Sequence, residues 1–170
     1  MKTPVGQTYY YNDFITEEER IIVKEWAIRN EKHLIPNPSG PFRARQLLKL
    51  IPEKLGLLNE IKERIIEVEG IEKEIFEPFR GDFVSIHRNG SKVLEHIDPN
   101  PENETLYSRR YNVFISLPEK GGLPIYNDEV LHVSEKCLLK VDSGLIPHST
   151  TIIEGNIPRI ILSYGFAFKK

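Results

Sequence analysis

The hydrophobic pattern of the first 72 residues predicts two helices. Residues 16–19, Thr-Glu-Glu-Glu, have the spacing of a capping box, which begins a helix by pairing side chains with free backbone amides. Ile22, Trp26 and the stem of Arg29 would then share one face of this helix, which favours a core position for Trp26 over a place in a ligand site. A second helix is predicted to begin at Pro52 and to end at Gly70. Its apolar residues recur at intervals of three and four: Leu55, Leu58, Ile61, Ile65 and Val68.

From residue 73 onward the pattern changes to short runs rich in β-branched and aromatic residues, which predict strands. The predicted strands are 74–79, 82–87, 93–97, 111–117, 137–141, 149–153 and 157–168. Tyr9–Tyr11 is consistent with a further strand or with an exposed aromatic patch. Helices followed by many short strands indicate a mainly β domain, a sandwich or distorted barrel with both helices supporting one sheet face.

Turn residues suggest how some of these strands are connected. Asn89-Gly90 is a strong hairpin signal, and residues 154–156 would fold the strand after His148 back on the strand that carries Arg159. In such a hairpin the two side chains are offset by about three residues, on the order of 10 Å. The proline-rich segment 36–45 must interrupt any helix. It is either a plain connector or a lid over a binding site.

His96, Asp98 and His148 are candidate metal ligands. Residues two apart on a strand point to the same face, so His96 and Asp98 can bind one cation. A lone His-x-Asp is common in a chain with 5 histidines and 25 acidic residues, but here His148 and then Arg159 follow it in strand-like sequence. Arg159 lies among apolar residues, where an unpaired charge is costly unless it meets an anion. Two histidines and a carboxylate form the facial triad that leaves open positions on ferrous iron.

These residues resemble the signature of the Fe(II)/2-oxoglutarate-dependent dioxygenases, and more narrowly of their prolyl-hydroxylase-like branch. The likeness covers roughly residues 80–168 and includes the segments 87–90, 111–118 and 121–122. It implies a double-stranded β-helix, or jelly roll, at about 73–170, with helical support at about 1–72, in a single domain of residues 1–170. The sequence departs from the branch at His87, where a tyrosine is usual.

The resemblance implies a hydroxylase that uses Fe(II), 2-oxoglutarate and O2, with ascorbate as a possible reductant. Decarboxylation of 2-oxoglutarate to succinate would drive hydroxylation of an unactivated C–H bond. Arg159 would bind the distal carboxylate, with Ser163 on the same strand face as a second donor. The candidates near the other carboxylate are His87, Tyr111 and Asn112. Asn112 is preferred, because Tyr111 and Asn112 point to opposite faces of a strand and the amide can donate to a carboxylate.

The same resemblance implies a substrate with a proline-like side chain, in a peptide or as a free amino acid. The base demethylases of the superfamily carry a second arginine six residues after the first, and this chain has Gly165 there, which argues against nucleic acid. The net charge of −2 adds no attraction to nucleic acid or to an anionic membrane. Two alternatives stay open: a jelly-roll binding module without activity, and an oxygenase for another small metabolite or for nucleic acid.

Composition bears on domain count and compartment. A chain of 170 residues, 39% hydrophobic and 28% charged, fits one domain with one core. Its single cysteine, Cys137, excludes an internal disulfide, fits a reducing compartment and is expected to be a small buried hydrophobe. No apolar run approaches the roughly 20 residues that span a bilayer, and no signal-peptide core is present at the start. We therefore expect a cytoplasmic protein in which His33 and His132 are solvated.

Overall fold

The computed structural model describes residues 8–37, 42–71, 81–102 and 105–169. Within these residues, helix α1 spans Glu17–Arg29, helix α2 spans Gly56–Glu69, and short 3-10 helices span Glu31–His33 and Leu48–Leu50. The strands are β1 Tyr9–Tyr11, β2 Ile35–Pro36, β3 Arg43–Leu47, β4 Phe83–His87, β5 Leu106–Ser116, β6 Pro124–Tyr126, β7 Glu129–Val130, β8 Leu138–Val141, β9 His148–Thr150 and β10 Arg159–Lys169. None of the helices in the described ranges is long and apolar enough to cross a membrane.

The described strands form two antiparallel sheets. The large sheet has seven strands in the order β1-β8-β5-β10-β4-β3-β2, and the small sheet has three in the order β7-β6-β9. An isolated bridge between His96 and His148 attaches the segment before Asp98 to the edge of the small sheet, beside β9. The fold is therefore mainly β, with two α-helices in the described part, as the sequence pattern predicted.

Successive residues along a strand of the large sheet face opposite sides of that sheet. On β10, Leu162 and Tyr164 pack in the same cluster as the buried residues of both helices. Ile161 packs instead with residues that lie between the two sheets, and Arg159 and Ser163 point into a pocket there. This division follows from the period of two in a strand. The helices thus cover one face of the large sheet and the candidate site lies on the other.

Helix α1 begins as the sequence predicted. The Glu19 amide donates to Thr16 Oγ1 at 3.1 Å, and the Thr16 amide donates to the Glu19 carboxylate at 2.8 Å. Trp26 is buried, which confirms its predicted place in the core. The residues predicted to share its face are not buried with it, because Ile22 is 40% exposed and the Arg29 side chain is 58% exposed. The buried stripe is shifted around the helix toward Val23 and Ala27.

Helix α2 ends as predicted but begins later. Gly70 adopts φ 62° and ψ 40°, and the Ile71 amide donates to the Ile66 carbonyl at 2.9 Å, which is the usual glycine-terminated helix end. The predicted start at Pro52 was wrong, since the helix begins at Gly56. Trp26 Nε1 donates to the Glu53 carbonyl at 3.0 Å. This carbonyl therefore accepts a hydrogen bond from a side chain of helix α1 and not from an amide of helix α2. Of the predicted apolar stripe, Val68 is 38% exposed.

Several predicted strands are confirmed with shifted ends, and others are not. Tyr9–Tyr11 does form a strand, paired with β8. The segment 93–97 is extended but joins a sheet only through the bridge at His96. The segment 36–45, predicted to be a loop, contains Pro36 in β2 and the start of β3. The predicted strand 74–79 lies outside the described residues, and strands β6 and β7 were not predicted.

The two predicted hairpins were wrong for one physical reason. After β9 the chain leaves the small sheet, because the Glu154 backbone pairs with Lys120, and β10 then enters the large sheet between β5 and β4. Asn89-Gly90 does form a turn, with Gly90 at φ 83°, but the Gly90 amide donates to the Ile153 carbonyl at 2.8 Å. Each turn therefore sends the chain to the other sheet, and the strands on either side of it do not pair.

Candidate active site

His96, Asp98 and His148 bring three potential ligand atoms together at the edge of the small sheet. Asp98 Oδ1 lies 3.3 Å from His96 Nε2 and 3.8 Å from His148 Nε2. One ligand atom from each residue lies within 4.8 Å of the other two. Donor atoms around one octahedral cation lie roughly 3 Å apart, so a small inward movement suffices for all three to bind one ion.

The backbone holds both imidazoles in the tautomer that a metal requires. His96 Nδ1 lies 2.7 Å from the Leu94 carbonyl oxygen, and His148 Nδ1 lies 3.0 Å from that of Ile146. A carbonyl can only accept, so each Nδ1 carries the proton and each Nε2 presents a lone pair toward Asp98. Reciprocal backbone hydrogen bonds of 3.1 and 3.0 Å between the two histidines set the spacing of the rings.

Asp98 is oriented by two contacts that sequence reasoning did not find. Its amide donates to the Ser143 carbonyl at 2.8 Å, and its Oδ2 lies 3.9 Å from Arg110 Nε. Arg110 is itself held by a hydrogen bond of 2.6 Å from Nη1 to the Gly81 carbonyl. Oδ2 therefore faces a guanidinium while Oδ1 faces the imidazoles, an arrangement that favours a single metal–oxygen bond from this carboxylate.

Tyr126 forms another wall of the site. It lies opposite His148 in the register of β6 and β9, and the two rings are stacked at 13° with centroids 5.7 Å apart. Burial raises the pKa of Tyr126 well above its usual value, and the nearby Asp98 carboxylate adds to the effect. The side chain is therefore a neutral phenol that packs against a candidate ligand. Its strand of three residues is too short for the sequence pattern to reveal.

One pocket joins the triad to most of the other predicted site residues. Its lining includes His87 on β4, Asn112 on β5, and Arg159 and Ser163 on β10. Asn112 and Ser163 are direct partners in the register of β5 and β10. Tyr111 lies on the opposite face, where its hydroxyl donates to Glu69 Oε2 at 2.9 Å. The structure therefore removes Tyr111 from the candidate site and places Asn112 inside it, because neighbouring residues of a strand face opposite layers.

Arg159 is buried and charged, and it has no acidic partner within the described ranges. It is 4% exposed, its guanidinium lies 5.4 Å from the centre of the Phe114 ring, and its Nε has no hydrogen-bond partner. Burial lowers its pKa to about 10, with a further contribution from Arg43, so it remains protonated at neutral pH. A buried cation without a counter-charge is costly in an isolated protein. It indicates a binding position for an anion.

His87 lies directly beside Arg159 and is also unsatisfied. It is 1% exposed, and neither ring nitrogen has a hydrogen-bond partner. Burial, followed by the charges of Arg159 and Arg43, holds its pKa well below the ordinary value, so the ring is neutral. Sequence reasoning considered His87 for the carboxylate at the metal end. The strand register instead places it next to the arginine, since His87 pairs with Arg159 across β4 and β10.

The pocket lining also includes polar residues to which the sequence analysis gave no ligand-binding role of their own: Arg43, Arg45, Ser85 and Arg110. Arg43 and Arg45 are two apart on β3, so they share a face, and this spacing was the signal that could have revealed them. Because the prolines before them indicated a loop, the sequence analysis left their segment open as a connector or a lid and did not predict a strand there. Ser85 Oγ is a further buried polar atom of this pocket that has no hydrogen-bond partner. Buried polar atoms without partners are rare, and their concentration here points to a polar ligand.

The remaining residues of chemical interest lie elsewhere. His33 and His132 do not line the pocket, and His132 is exposed, as expected for histidines that do not bind metal. Cys137 is fully buried between the sheets, and burial raises its pKa to about 11. This confirms its predicted role as a small buried hydrophobe rather than a nucleophile.

The fold just described is that of the 2-oxoglutarate–Fe(II) oxygenases, prolyl hydroxylases among them. The viral collagen prolyl hydroxylase of Paramecium bursaria Chlorella virus-1, solved with 2-oxoglutarate, has a TM-score of 0.71 at 15% identity, covering 96% of this chain and 98% of that one. A prolyl-4-hydroxylase from Pseudomonas putida has a TM-score of 0.65 at 16% identity, with coverages of 96% and 92%.

A structure that contains an antibiotic, hygromycin B, has a TM-score as high as that of the viral prolyl hydroxylase. HygX from Streptomyces hygroscopicus, solved with nickel, 2-oxoglutarate and hygromycin B, has a TM-score of 0.72 at 10% identity, covering 96% of this chain and 83% of that one. Neither a family model nor a curated protein matches the sequence. The likeness is therefore one of fold.

Proposed function

We propose that this protein is an Fe(II)- and 2-oxoglutarate-dependent dioxygenase that hydroxylates an unactivated C–H bond and releases succinate and CO2. One observation carries the proposal: the triad of His96, Asp98 and His148 opens into the same pocket as a buried, charged Arg159 that pairs with no acidic side chain in the described ranges. A candidate metal site beside a buried guanidinium suits a cosubstrate that has a chelating group at one end and a carboxylate at the other.

The side chains of the triad fit a ferrous ion. Two neutral imidazole nitrogens and one carboxylate oxygen form a borderline donor set that leaves half of an octahedral sphere open. When bound, iron would supply the oxidative chemistry that couples decarboxylation of 2-oxoglutarate by O2 to hydroxylation of the substrate. The protein's own contribution is to hold the donors in place. His96 and His148 do so through their Nδ1 contacts, and Asp98 does so through Arg110.

We assign the cosubstrate contacts to four residues of the large sheet. Arg159 binds the distal carboxylate of 2-oxoglutarate, and Ser163 is a second donor on the same strand face. His87, which is neutral, donates one ring N–H beside Arg159. Asn112 lies opposite Ser163 and its amide can donate to a carboxylate, so we keep it as a contact nearer the metal.

We propose a proline-like side chain, in a peptide or as a free amino acid, as the substrate. The fold likeness to prolyl hydroxylases supports it, including one from Trichoplax adhaerens solved with a hypoxia-inducible-factor peptide, at a TM-score of 0.63 and 11% identity. An oxygenase for a small metabolite is the second candidate. The similar TM-scores of HygX and of SnoN, an epimerase of nogalamycin biosynthesis, favour it.

The architecture belongs to the same proposal. We take the two sheets as a double-stranded β-helix at about residues 73–170, supported by the helices of residues 1–72, in one domain. The opposed antiparallel sheets around the pocket support this reading. We also propose a cytoplasmic location, because the only cysteine of the chain is buried and reduced.

Formation of succinate from 2-oxoglutarate in the presence of Fe(II) and ascorbate tests the function, because such enzymes turn over slowly without their substrate. We expect measurable succinate from the wild-type chain and none above background from His148→Ala, which also loses metal in a titration. His132→Ala, which removes an exposed histidine outside the pocket, is the matched control and should retain both properties. A wild-type protein that binds metal and 2-oxoglutarate without forming succinate would identify a binding module instead.

A further inference from the structure

The turn between β8 and β9, residues 142–147, contacts two of the three candidate metal ligands. Its Ser143 carbonyl accepts a hydrogen bond from the Asp98 amide at 2.8 Å, and its Ile146 carbonyl oxygen lies 3.0 Å from His148 Nδ1. Both contacts are made by backbone carbonyl groups, so they depend on where the turn lies and not on its side chains. The position of this turn therefore sets the position of Asp98 relative to His148.

Asn100, two residues after Asp98, fastens this turn to the segment that bears the carboxylate ligand. Its Nδ2 donates to the Gly144 carbonyl at 2.9 Å, and its Oδ1 accepts a hydrogen bond from the Ser108 amide at 2.9 Å. The Gly144 amide in turn donates to the Ser108 carbonyl at 2.9 Å. A primary amide can make both contacts because it presents a donor and an acceptor side by side. One side chain thus joins three parts of the chain: the segment of Asp98, the turn, and β5.

The chain between Asp98 and Asn100 is stiff. Pro99 has a fixed φ and restricts Asp98, the residue before it, to extended conformations. Pro101 restricts Asn100 in the same way. Ser108 Oγ also donates to the Pro99 carbonyl at 2.9 Å, which holds the residue between the two. A constraint on the Asn100 side chain is therefore passed on to the backbone of Asp98.

Gly144 leaves the space that this contact occupies. A Cβ added at this position would lie 1.8 Å from Asn100 Oδ1 and 2.8 Å from the Ser108 nitrogen. Gly144 is not among the described glycines with a positive φ, so its backbone conformation does not itself require a glycine. The close approach of the Asn100 amide and of the β5 backbone is the reason that a side chain does not fit there.

We propose that Asn100 is a positioning residue for the candidate metal site: its side-chain amide fixes Asp98 against the turn that orients His148, so that both ligands are held close together before metal binds. This assignment rests on the proposed function, since the metal of that function is the ion in question. Ligands that need less rearrangement bind a metal more tightly, and residues that hold ligands in place typically contribute about 10- to 100-fold to metal affinity.

The test compares Asn100→Ala with Asn30→Ala. Asn30 follows helix α1 and does not line the pocket, but its Nδ2 also makes two hydrogen bonds, to the Trp26 carbonyl at 2.9 Å and to Glu53 Oε2 at 2.8 Å. It is the matched control for the loss of a side-chain amide that joins separate parts of the chain. Calorimetry measures the Zn2+ affinity of each full-length variant. The visible absorption of bound Co2+ reports the number and arrangement of its ligands.

We expect Asn100→Ala to bind Zn2+ about tenfold more weakly than the wild type and to alter the Co2+ spectrum. Asn30→Ala should lose stability in urea but keep the wild-type Zn2+ affinity and Co2+ spectrum. Gly144→Ala should act as Asn100→Ala does, because its methyl group displaces the amide. The double variant should weaken Zn2+ binding by less than the product of the two separate effects, since each substitution breaks the same contact.

Other outcomes have separate meanings. If Asn100→Ala is less stable but keeps the wild-type Zn2+ affinity and Co2+ spectrum, Asn100 is only structural; the assignment is then wrong and the proposed function stands. If Asn100→Ala does not fold, Gly144→Ala decides, and wild-type Zn2+ affinity in that variant overturns the assignment. If wild-type protein binds neither Zn2+ nor Co2+, the proposed function fails, and this assignment fails with it.

Discussion

Two buried arginines of the large sheet, Arg110 and Arg159, differ in the groups that surround them. Arg110 donates to the Gly81 carbonyl and approaches Asp98, so its charge is compensated inside the protein. Among the described residues, the Phe114 ring lies beneath the Arg159 guanidinium, Tyr126 is a nearby phenol, and the Arg159 Nε has no hydrogen-bond partner. Burial costs are alike for the two side chains, so we expect Arg159 to bind an anionic ligand.

Substitution of Arg159 should separate cosubstrate binding from metal binding. Charge-assisted hydrogen bonds contribute about 1.5 to 3 kcal/mol each, so Arg159→Ala should weaken 2-oxoglutarate by at least about tenfold. Metal affinity should stay nearly unchanged, because the triad does not contact this residue through any described hydrogen bond. Arg159→Lys should fall between the two, since a point charge keeps the attraction but loses the paired geometry. Unaltered 2-oxoglutarate affinity in a folded, metal-binding Arg159→Ala protein would contradict the assignment.

His87 should make the stability of the metal-free protein depend on pH. Its pKa is lowered in the folded state, so below the ordinary histidine pKa of about 6.5 the unfolded chain binds a proton that the folded chain does not. The free energy of unfolding therefore falls as the pH falls below about 6.5, by up to roughly 1.4 kcal/mol per pH unit from this group.

In His87→Gln this contribution should disappear and the loss of stability between pH 6.5 and 5 should be shallower. Urea unfolding at several pH values, with a chelator present, measures the difference. His132→Gln removes an imidazole at an exposed position and controls for general effects of the substitution. Parallel pH profiles for wild type and His87→Gln would show that the buried ring does not oppose protonation.

Among the elements, the turn between β5 and β6 supports the pocket directly. Gly122 has φ 68°, and a Cβ added there would lie 3.1 Å from Arg159 Cδ and 3.0 Å from Pro118 Cγ. The glycine thus allows the aliphatic stem of the arginine to lie against the main chain of the turn. The position of the guanidinium depends on this close approach as well as on the strand that bears it.

Gly122→Ala should lower both stability and 2-oxoglutarate affinity. Left-handed backbone costs a non-glycine residue about 1 kcal/mol or more, and the added methyl group also displaces the Arg159 side chain. Gly70→Ala is the matched control: Gly70 has φ 62°, but a Cβ there meets nothing within 4 Å. It should lose similar stability and bind 2-oxoglutarate normally. Equal affinities in the two variants would show that Gly122 does not position the arginine.

At the scale of the whole molecule, the candidate site lies between the two sheets. The triad belongs to the edge of the small sheet, where the segment of His96 is joined to β9 through one bridge. Arg159, Ser163 and Asn112 belong to the large sheet. A metal ion would tie the small-sheet segments together, and a chelating diacid would then connect that metal to the large sheet. Metal, cosubstrate and sheet packing should therefore be thermodynamically linked.

We predict that 2-oxoglutarate binds the metal-loaded protein well and the metal-free protein poorly. Ligand at a hundredfold excess over its Kd should stabilise the fold by about 2.7 kcal/mol, or roughly 5 to 10 °C in melting temperature. Calorimetry and thermal unfolding with Zn2+, with 2-oxoglutarate and with both will measure the linkage. His148→Ala should lose the combined effect. Equal 2-oxoglutarate affinity with and without metal would count against a shared site.

The sequence by itself determined those features that depend on neighbours along the chain. The capping box at Thr16 and the glycine at position 70 set helix ends through local hydrogen bonds. The period of two in strands placed Asn112 on the pocket face and Tyr111 on the other, because successive side chains alternate whatever the partner strand is. The spacing of His96 and Asp98 predicted a shared cation site for the same reason.

Only the tertiary structure decided which strands lie side by side. The residues between His148 and Arg159 look like a hairpin, yet they cross from one sheet to the other. Likewise, nothing local to Arg43 indicates that it shares a row with His87 and Arg159, more than forty residues away in sequence. Pairing between distant strands depends on burying both faces of the large sheet at once, against the helices and against the small sheet. A local sequence pattern indicates that one face of a strand is buried, but it does not indicate which element packs on that face.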